Sequence, residues 1–185
     1  MKKILVVVDY QNDFVDGALG FEKAKTLENG IIEKIKKYLN EGEGIVFTYD
    51  THYEGYLNTR EGKHLPISHC IVGTQGHRLY GNLTKFEQDI SKSNIVNLYK
   101  NSFGISPSVM DDIRKKFKDV DEIEVIGIVT NMCVISNVVT FQSAFPNAQM
   151  IVDASLCASF DDEMHEKALD VMESMQVKII NREGK

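Results

Sequence analysis

Ile4-Leu5-Val6-Val7-Val8-Asp9-Tyr10-Gln11-Asn12-Asp13-Phe14 is the stretch on which the fold turns. Five apolar residues, mostly β-branched, run without interruption and stop at an acid. An alternating pattern would leave one face in water, whereas an unbroken run is a strand buried on both faces, as in a parallel sheet. Runs of the same kind occur at Ile45-Val46-Phe47, Ile123-Glu124-Val125-Ile126, Met150-Ile151-Val152 and Val177-Lys178-Ile179-Ile180, with a weaker one at Ile95-Val96-Asn97-Leu98-Tyr99. Helical patterns lie between them. Leu27, Ile31, Ile35 and Leu39 recur every four residues and predict an amphipathic helix of about five turns. Val109, Ile113 and Phe117 mark a second, entered through Ser106-Pro107. Val134, Val138, Phe141 and Phe145 mark a third, and Ala168, Leu169, Met172 and Met175 a fourth. This alternation implies βαβ crossovers and a doubly wound, mostly parallel α/β sheet, a Rossmann-like three-layer α/β/α sandwich.

The 185 residues suit a single domain over 1–185, and 43% hydrophobic with 26% charged residues is an ordinary globular balance. A net charge of -6 argues against a nucleic-acid or anionic-membrane surface. The apolar runs fall far short of the roughly 20 residues of a membrane helix, and the N-terminal run is too short for a signal peptide. Three cysteines, an odd and sparse set, fit reduced thiols and a cytoplasmic location. Residues 51–83 break the alternation and hold four of the five histidines, which marks a functional insertion.

Ligands of open α/β sheets bind beyond the carboxyl ends of the strands. Asp9 follows the first run, Asp50 and His52 the second, and Lys100 the run ending at Tyr99. Gly127-Ile128-Val129-Thr130-Asn131-Met132-Cys133 follows the run at 123–126. Singly, each has an ordinary reading as a cap, a solvated lysine or a buried thiol. Together they make chemical sense. A cysteine opening a helix feels the positive end of its dipole, and an ammonium beside it lowers the thiol pKa further, bringing the thiolate within reach near neutrality. Asp9 would accept the proton, and backbone N–H groups at the helix start would receive an oxyanion. Gly127 would let the strand turn sharply into that arrangement. Cys157 and Cys70 read as small buried hydrophobes.

Asp50-Thr51-His52 puts two ligand side chains on one side of an extended segment, with Glu61, His64 and His69 downstream. One carboxylate with two or more imidazoles suits Zn²⁺, Mn²⁺ or Fe²⁺ rather than Ca²⁺ or Mg²⁺. His77 and His165 read as surface residues.

Asp9-Tyr10-Gln11-Asn12-Asp13-Phe14, Asp50-x-His52, His69-Cys70-Ile71-Val72-Gly73-Thr74, Lys100 and Gly127-Ile128-Val129-Thr130-Asn131-Met132-Cys133-Val134, in this order, resemble the isochorismatase-like cysteine hydrolases, and among them the nicotinamidase (pyrazinamidase) branch. The resemblance implies a catalytic triad of Asp9, Lys100 and Cys133. It also implies a cis Ile128–Val129 bond, with an oxyanion hole from the N–H groups of Val129 and Cys133. The metal, Zn²⁺ with Mn²⁺ or Fe²⁺ as alternatives, would be held by Asp50, His52 and His69, with Glu61 or His64 as the fourth ligand. It would fix a pyridine nitrogen in a pocket walled by Phe14, Leu65 and Phe103. The implied partner is a small amide such as nicotinamide, with homo-oligomers common in the family. Thr51-His52-Tyr53, Leu65 and Asn101–Ser106 depart from the usual pattern. Carbamoyl-amide hydrolases, which keep the triad and usually lack the metal ligands, are the nearest rival. A phospho-receiver domain, from a different class, would place paired acids directly after the first strand.

Overall fold

The protein is described as a computed structural model covering residues 2–87 and 94–184. Six strands, β1 (Lys3–Val8), β2 (Gly44–Asp50), β3 (Ile95–Lys100), β4 (Glu122–Ile128), β5 (Gln149–Ala158) and β6 (Lys178–Ile180), form one sheet in the order β3-β2-β1-β4-β5-β6. All pairings are parallel. The helices are α1 (Asn12–Val15), α2 (Glu22–Lys25), α3 (Glu28–Asn40), α4 (Arg60–His64), α5 (Thr84–Glu87), α6 (Pro107–Lys116), α7 (Ile135–Ala144) and α8 (Asp162–Ser174). Among the described residues no helix is long and apolar enough to cross a membrane.

The strand periodicity divides the core. Leu5, Val7 and Phe47 face one side of the sheet, where Ile31, Ile35 and Tyr38 of α3 cover them. Ile4, Val6, Val8 and Val46 face the other, under Met110, Val138, Phe141 and Leu169 of α6, α7 and α8. Full burial of an Ile such as Ile31 or Ile35 contributes about 1.5–3 kcal/mol, so α3 is held by its stripe rather than by its sequence propensity. It is shorter than the periodicity implied: Leu27 caps it, leaving 13 residues. Pro107 does open α6. The charge within the run at 123–126 is compensated, since Glu124 meets Lys34 Nζ at 2.6 Å and the Tyr38 hydroxyl at 2.7 Å.

The insertion holds only α4 and short turns, and it is tied to the sheet by backbone pairing. Tyr80 N–H donates to the Tyr10 carbonyl, Asn12 N–H to Arg78 and Asp13 N–H to Gly76, so residues 76–80 lie against the segment after β1. His52 N–H donates to Cys70 and Val72 N–H to His52, which brings residues 69–72 beside the end of β2.

Gly127 lies inside β4, paired with Val8, and not at the turn beyond it. Its φ is +118°, and an added Cβ would lie 2.2 Å from the Val8 carbonyl oxygen. Both constraints exclude a side chain. Gly127→Ala should therefore lower stability by about 2–4 kcal/mol in chemical denaturation; a loss under about 1 kcal/mol would mean that the strands separate there without consequence.

Candidate active site

The chain crosses from one half of the sheet to the other between β3 and β4, so β1 and β4 are neighbours whose connections leave in opposite directions. Crevices open at such a point. Asp9 follows β1, and the turn 129–134 follows β4. Asp50 and Lys100 are the last residues of β2 and β3 and stand in register.

Lys100 is the common contact. Its Nζ lies 2.6 Å from Asp9 Oδ2, 3.7 Å from Cys133 Sγ and 3.9 Å from Asp50 Oδ1. All four side chains are buried. Asp9 takes a left-handed φ of 46° and accepts the Thr48 hydroxyl at 2.6 Å on Oδ1. Such a conformation costs a non-glycine residue on the order of 1–3 kcal/mol and persists where surroundings impose it. Here the ties are Asp9 N–H to the Thr48 carbonyl and Gln11 N–H to the Asp9 carbonyl.

Cys133 sits in a π-type turn, Thr130–Val134, that leads into α7, and the Ile128–Val129 bond before it is cis. The electrostatics differ from the sequence expectation of a lowered thiol pKa. Burial pushes the Cys133 thiol well above its usual range; Lys100 opposes this, and the nearby Asp9 carboxylate adds to it. Burial likewise raises Asp9 against the pull of Lys100. Burial disfavours the Lys100 cation too, but Asp9, Cys133 and Asp50 overcome it and hold its pKa above the normal range. One cation therefore faces two groups that compete to be its anion. Moving the thiol proton to Asp9 would leave the net charge of the group unchanged, so a thiolate would need no uncompensated charge in so dry a place.

The second constellation adjoins the first through Asp50. Asp50 Oδ2 lies 2.9 Å from His52 Nε2 and 3.2 Å from His69 Nε2; Glu61 Oε1 lies 3.7 and 3.8 Å from the same nitrogens. One ligand atom from each of the four lies within 4.8 Å of the others. His69 Nδ1 donates to the Ile67 carbonyl at 2.8 Å, which leaves Nε2 as the free donor atom facing the cluster. Despite burial, the hydrogen bonds to His52 and His69 and the nearby Lys100 hold Asp50 below the usual carboxylate range. Burial opposes protonation of His69, yet Asp50 raises its pKa. Two imidazole nitrogens and two carboxylates that together favour positive charge fit a divalent transition metal. His64 is exposed, its Nδ1 at the Arg60 carbonyl; Glu61, and not His64, stands with Asp50, His52 and His69.

A cavity of about 510 Å³ reaches His52 and Glu61 between Tyr53, Tyr56, Asn101 and Phe103. Leu65 does not line it; its carbonyl accepts the Tyr56 hydroxyl. Phe14 packs on His69 at 5.3 Å between ring centroids. Cys70 and Cys157 are buried, and burial raises both thiols. The two histidines expected at the surface are not there. His77 is half-buried, stacked on Tyr99 with Nε2 3.0 Å from the Thr51 hydroxyl, and His165 is buried against Thr130.

Sequence reading missed the residues that hold the others. Gln11 accepts Asp50 N–H at 2.8 Å and donates to the carbonyls of Asp50 and His77, extending the β1–β2 ladder with a side chain. Asp13 accepts Cys70 N–H at 2.7 Å, and Asn137 donates to the Cys133 and Phe103 carbonyls. A polar residue one turn after Cys133, on an otherwise apolar helix face, was the available signal for Asn137.

The isochorismatase domain family matches residues 3–184. The chain is 29% identical over 174 residues to the isochorismatase family protein PncA of Bacillus subtilis, covering 91% of this chain and 93% of that one. It is 26% identical over 192 residues to the nicotinamidase/pyrazinamidase of Mycobacterium tuberculosis, covering 96% and 98%. The crystal structure of the Bacillus subtilis nicotinamidase/pyrazinamidase PncA superposes with a TM-score of 0.86 at 27% identity, over 97% of this chain and 99% of that one. With the family model matching nearly its whole length, the chain belongs to the isochorismatase family.

Proposed function

We propose that the protein is a metal-containing cysteine amidohydrolase that converts nicotinamide to nicotinate and ammonia. What carries this reading is the contact of Lys100 with Asp9, Cys133 and Asp50, which joins a nucleophile site to a four-donor metal site at one rim. The names of the relatives support the same substrate class.

In this reading Asp9 takes the thiol proton and the Cys133 sulfur bonds to the amide carbon. The carbonyl π pair moves to oxygen, where the N–H groups of Val129 and Cys133 receive it. Asp9, now a carboxylic acid, gives its proton to the nitrogen as the C–N bond breaks and ammonia leaves. A water then loses a proton to Asp9 and attacks the thioester, releasing nicotinate and restoring the thiol. Lys100 keeps its charge throughout and orients the carboxylate. A divalent metal at Asp50, His52, Glu61 and His69 would supply a Lewis-acid contact for the pyridine nitrogen. The presence of all four donors favours this over a metal-independent carbamoyl-amide hydrolase.

Ammonia release from a panel of amides tests the substrate: nicotinamide should be turned over best, and Cys133→Ala should abolish the reaction while the fold melts as in wild type. Turnover near wild type in Cys133→Ala would place the nucleophile elsewhere.

His52→Ala removes a ligand, and since residues merely supporting a ligand are worth about 10–100-fold in metal affinity, the loss should exceed that. Metal content should fall and the nicotinamide KM should rise, with Cys133 alkylation little changed. Unaltered metal content would remove the cluster from the argument.

Asp9→Asn separates thiolate formation from catalysis. Removing the Asp9 charge leaves Cys133 as the nearer anionic partner of Lys100, so the thiol pKa should fall and alkylation at neutral pH should quicken. Turnover should nevertheless drop by about 10²–10⁴, because no group remains to carry the proton to the leaving nitrogen. Slower alkylation together with slower turnover would contradict this division of roles.

A further inference from the structure

The turn that carries Cys133 is of the π type, a wide and rarely adopted geometry that tends to occur at functional sites. Its first residue, Thr130, is fully buried, and the Thr130 hydroxyl lies 2.8 Å from Nδ1 of His165, a buried residue in the first turn of α8. Burial and the nearby Lys23 lower the His165 pKa, keeping the imidazole neutral. With the ring proton on Nε2, which lies 3.8 Å from the Glu166 carboxylate, Nδ1 carries a lone pair to which the Thr130 hydroxyl can donate. The neighbouring Asn131 is tied to the same region, its Oδ1 accepting the Ser159 hydroxyl at 2.8 Å just before α8 begins. Thr130 follows Val129 directly and precedes Cys133 by three residues, the two residues whose N–H groups the proposed reaction uses.

We infer that His165 is a positioning residue: through the Thr130 hydroxyl it anchors the turn to α8 and holds the Val129 and Cys133 N–H groups where the oxyanion forms. The inference rests on the reading of Cys133 as the nucleophile. His165 touches neither substrate nor sulfur, so its effect should fall on kcat and not on ring binding.

Four variants test it. Thr130→Val removes the hydroxyl at constant shape. His165→Leu keeps the branching at Cγ and removes the acceptor. The third variant combines both changes. His165→Asn puts a carbonyl oxygen at the same two-bond distance from Cβ as Nδ1. The readouts are kcat and KM for nicotinamide, and the affinity for pyridine-3-carbaldehyde. In that addition the S–C bond forms as the carbonyl π bond breaks; the thiol proton goes to Asp9 and the electron pair to the oxygen facing the turn. Each single change should lower kcat and aldehyde affinity about 10–100-fold, the scale of a small misplacement, with KM little altered. The double variant should be no worse than either single one, and His165→Asn should recover most of the loss. Losses that multiply in the double variant, or that fall on KM alone, would overturn the inference, as would aldehyde affinity independent of His165 or a wild-type protein that forms no adduct. If wild type released no ammonia from nicotinamide yet bound the aldehyde in a His165-dependent way, the substrate assignment would fail and the role of His165 would stand.

Discussion

A single buried ammonium organises this protein. Lys100 has almost no contact with water, and an isolated cation in such a place would be severely destabilising. It is stable because Asp9, Asp50 and Cys133 surround it, and each of them is delivered by a different strand end or turn. The sheet order makes this delivery possible: β3, β2 and β1 lie side by side, and β4 next to β1 brings in the cysteine turn. The dependence is mutual. Without Lys100 two carboxylates would face each other in a dry cavity, and without the carboxylates the lysine would lose its charge.

Asp50 extends the same electrostatic unit to the second cluster. One of its oxygens faces Lys100, and the other lies within 3.2 Å of both His52 and His69. Gln11 fixes its backbone from the segment that also carries Asp9. A shift of either strand end would thus disturb both clusters at once, which explains why buried polar residues rather than loops make the connections. Asp9 at φ 46° and Cys70 at φ 47° are the local cost of this arrangement, each beside one of the clusters.

The strands were legible because a doubly covered parallel sheet imposes unbroken apolar runs, and the residues just after them mark the rim. Asp9, Asp50, His52, Lys100 and Cys133 were found in that way. Glu61 and His69 became candidates by residue type and by the family resemblance; the pairing of 69–72 with His52 brings His69 to Asp50, and α4 carries Glu61 there. His165 and His77 were misjudged because a polar residue on a helix or loop looks solvated until its tertiary neighbour is known, here Thr130 and Tyr99. The protonation of Cys133 was misjudged for a related reason: the sequence displays the lysine that lowers a thiol pKa but not the burial that raises it. Gly127 was singled out as the residue that lets the strand turn; it lies instead inside β4, where its φ of +118° and the Val8 carbonyl beside it leave no place for a side chain.

The central claim is that Lys100 holds its positive charge while one proton is shared between Asp9 and Cys133. Heteronuclear NMR of the Lys100 side chain, followed from acid to alkaline pH in the folded protein, addresses it most directly. The account predicts an ammonium signal throughout the range in which the protein remains folded, with carboxyl resonances of Asp9 and the Cys133 β-carbon shifting together. A neutral Lys100 amine near neutral pH, or Asp9 and Cys133 titrating independently, would contradict it.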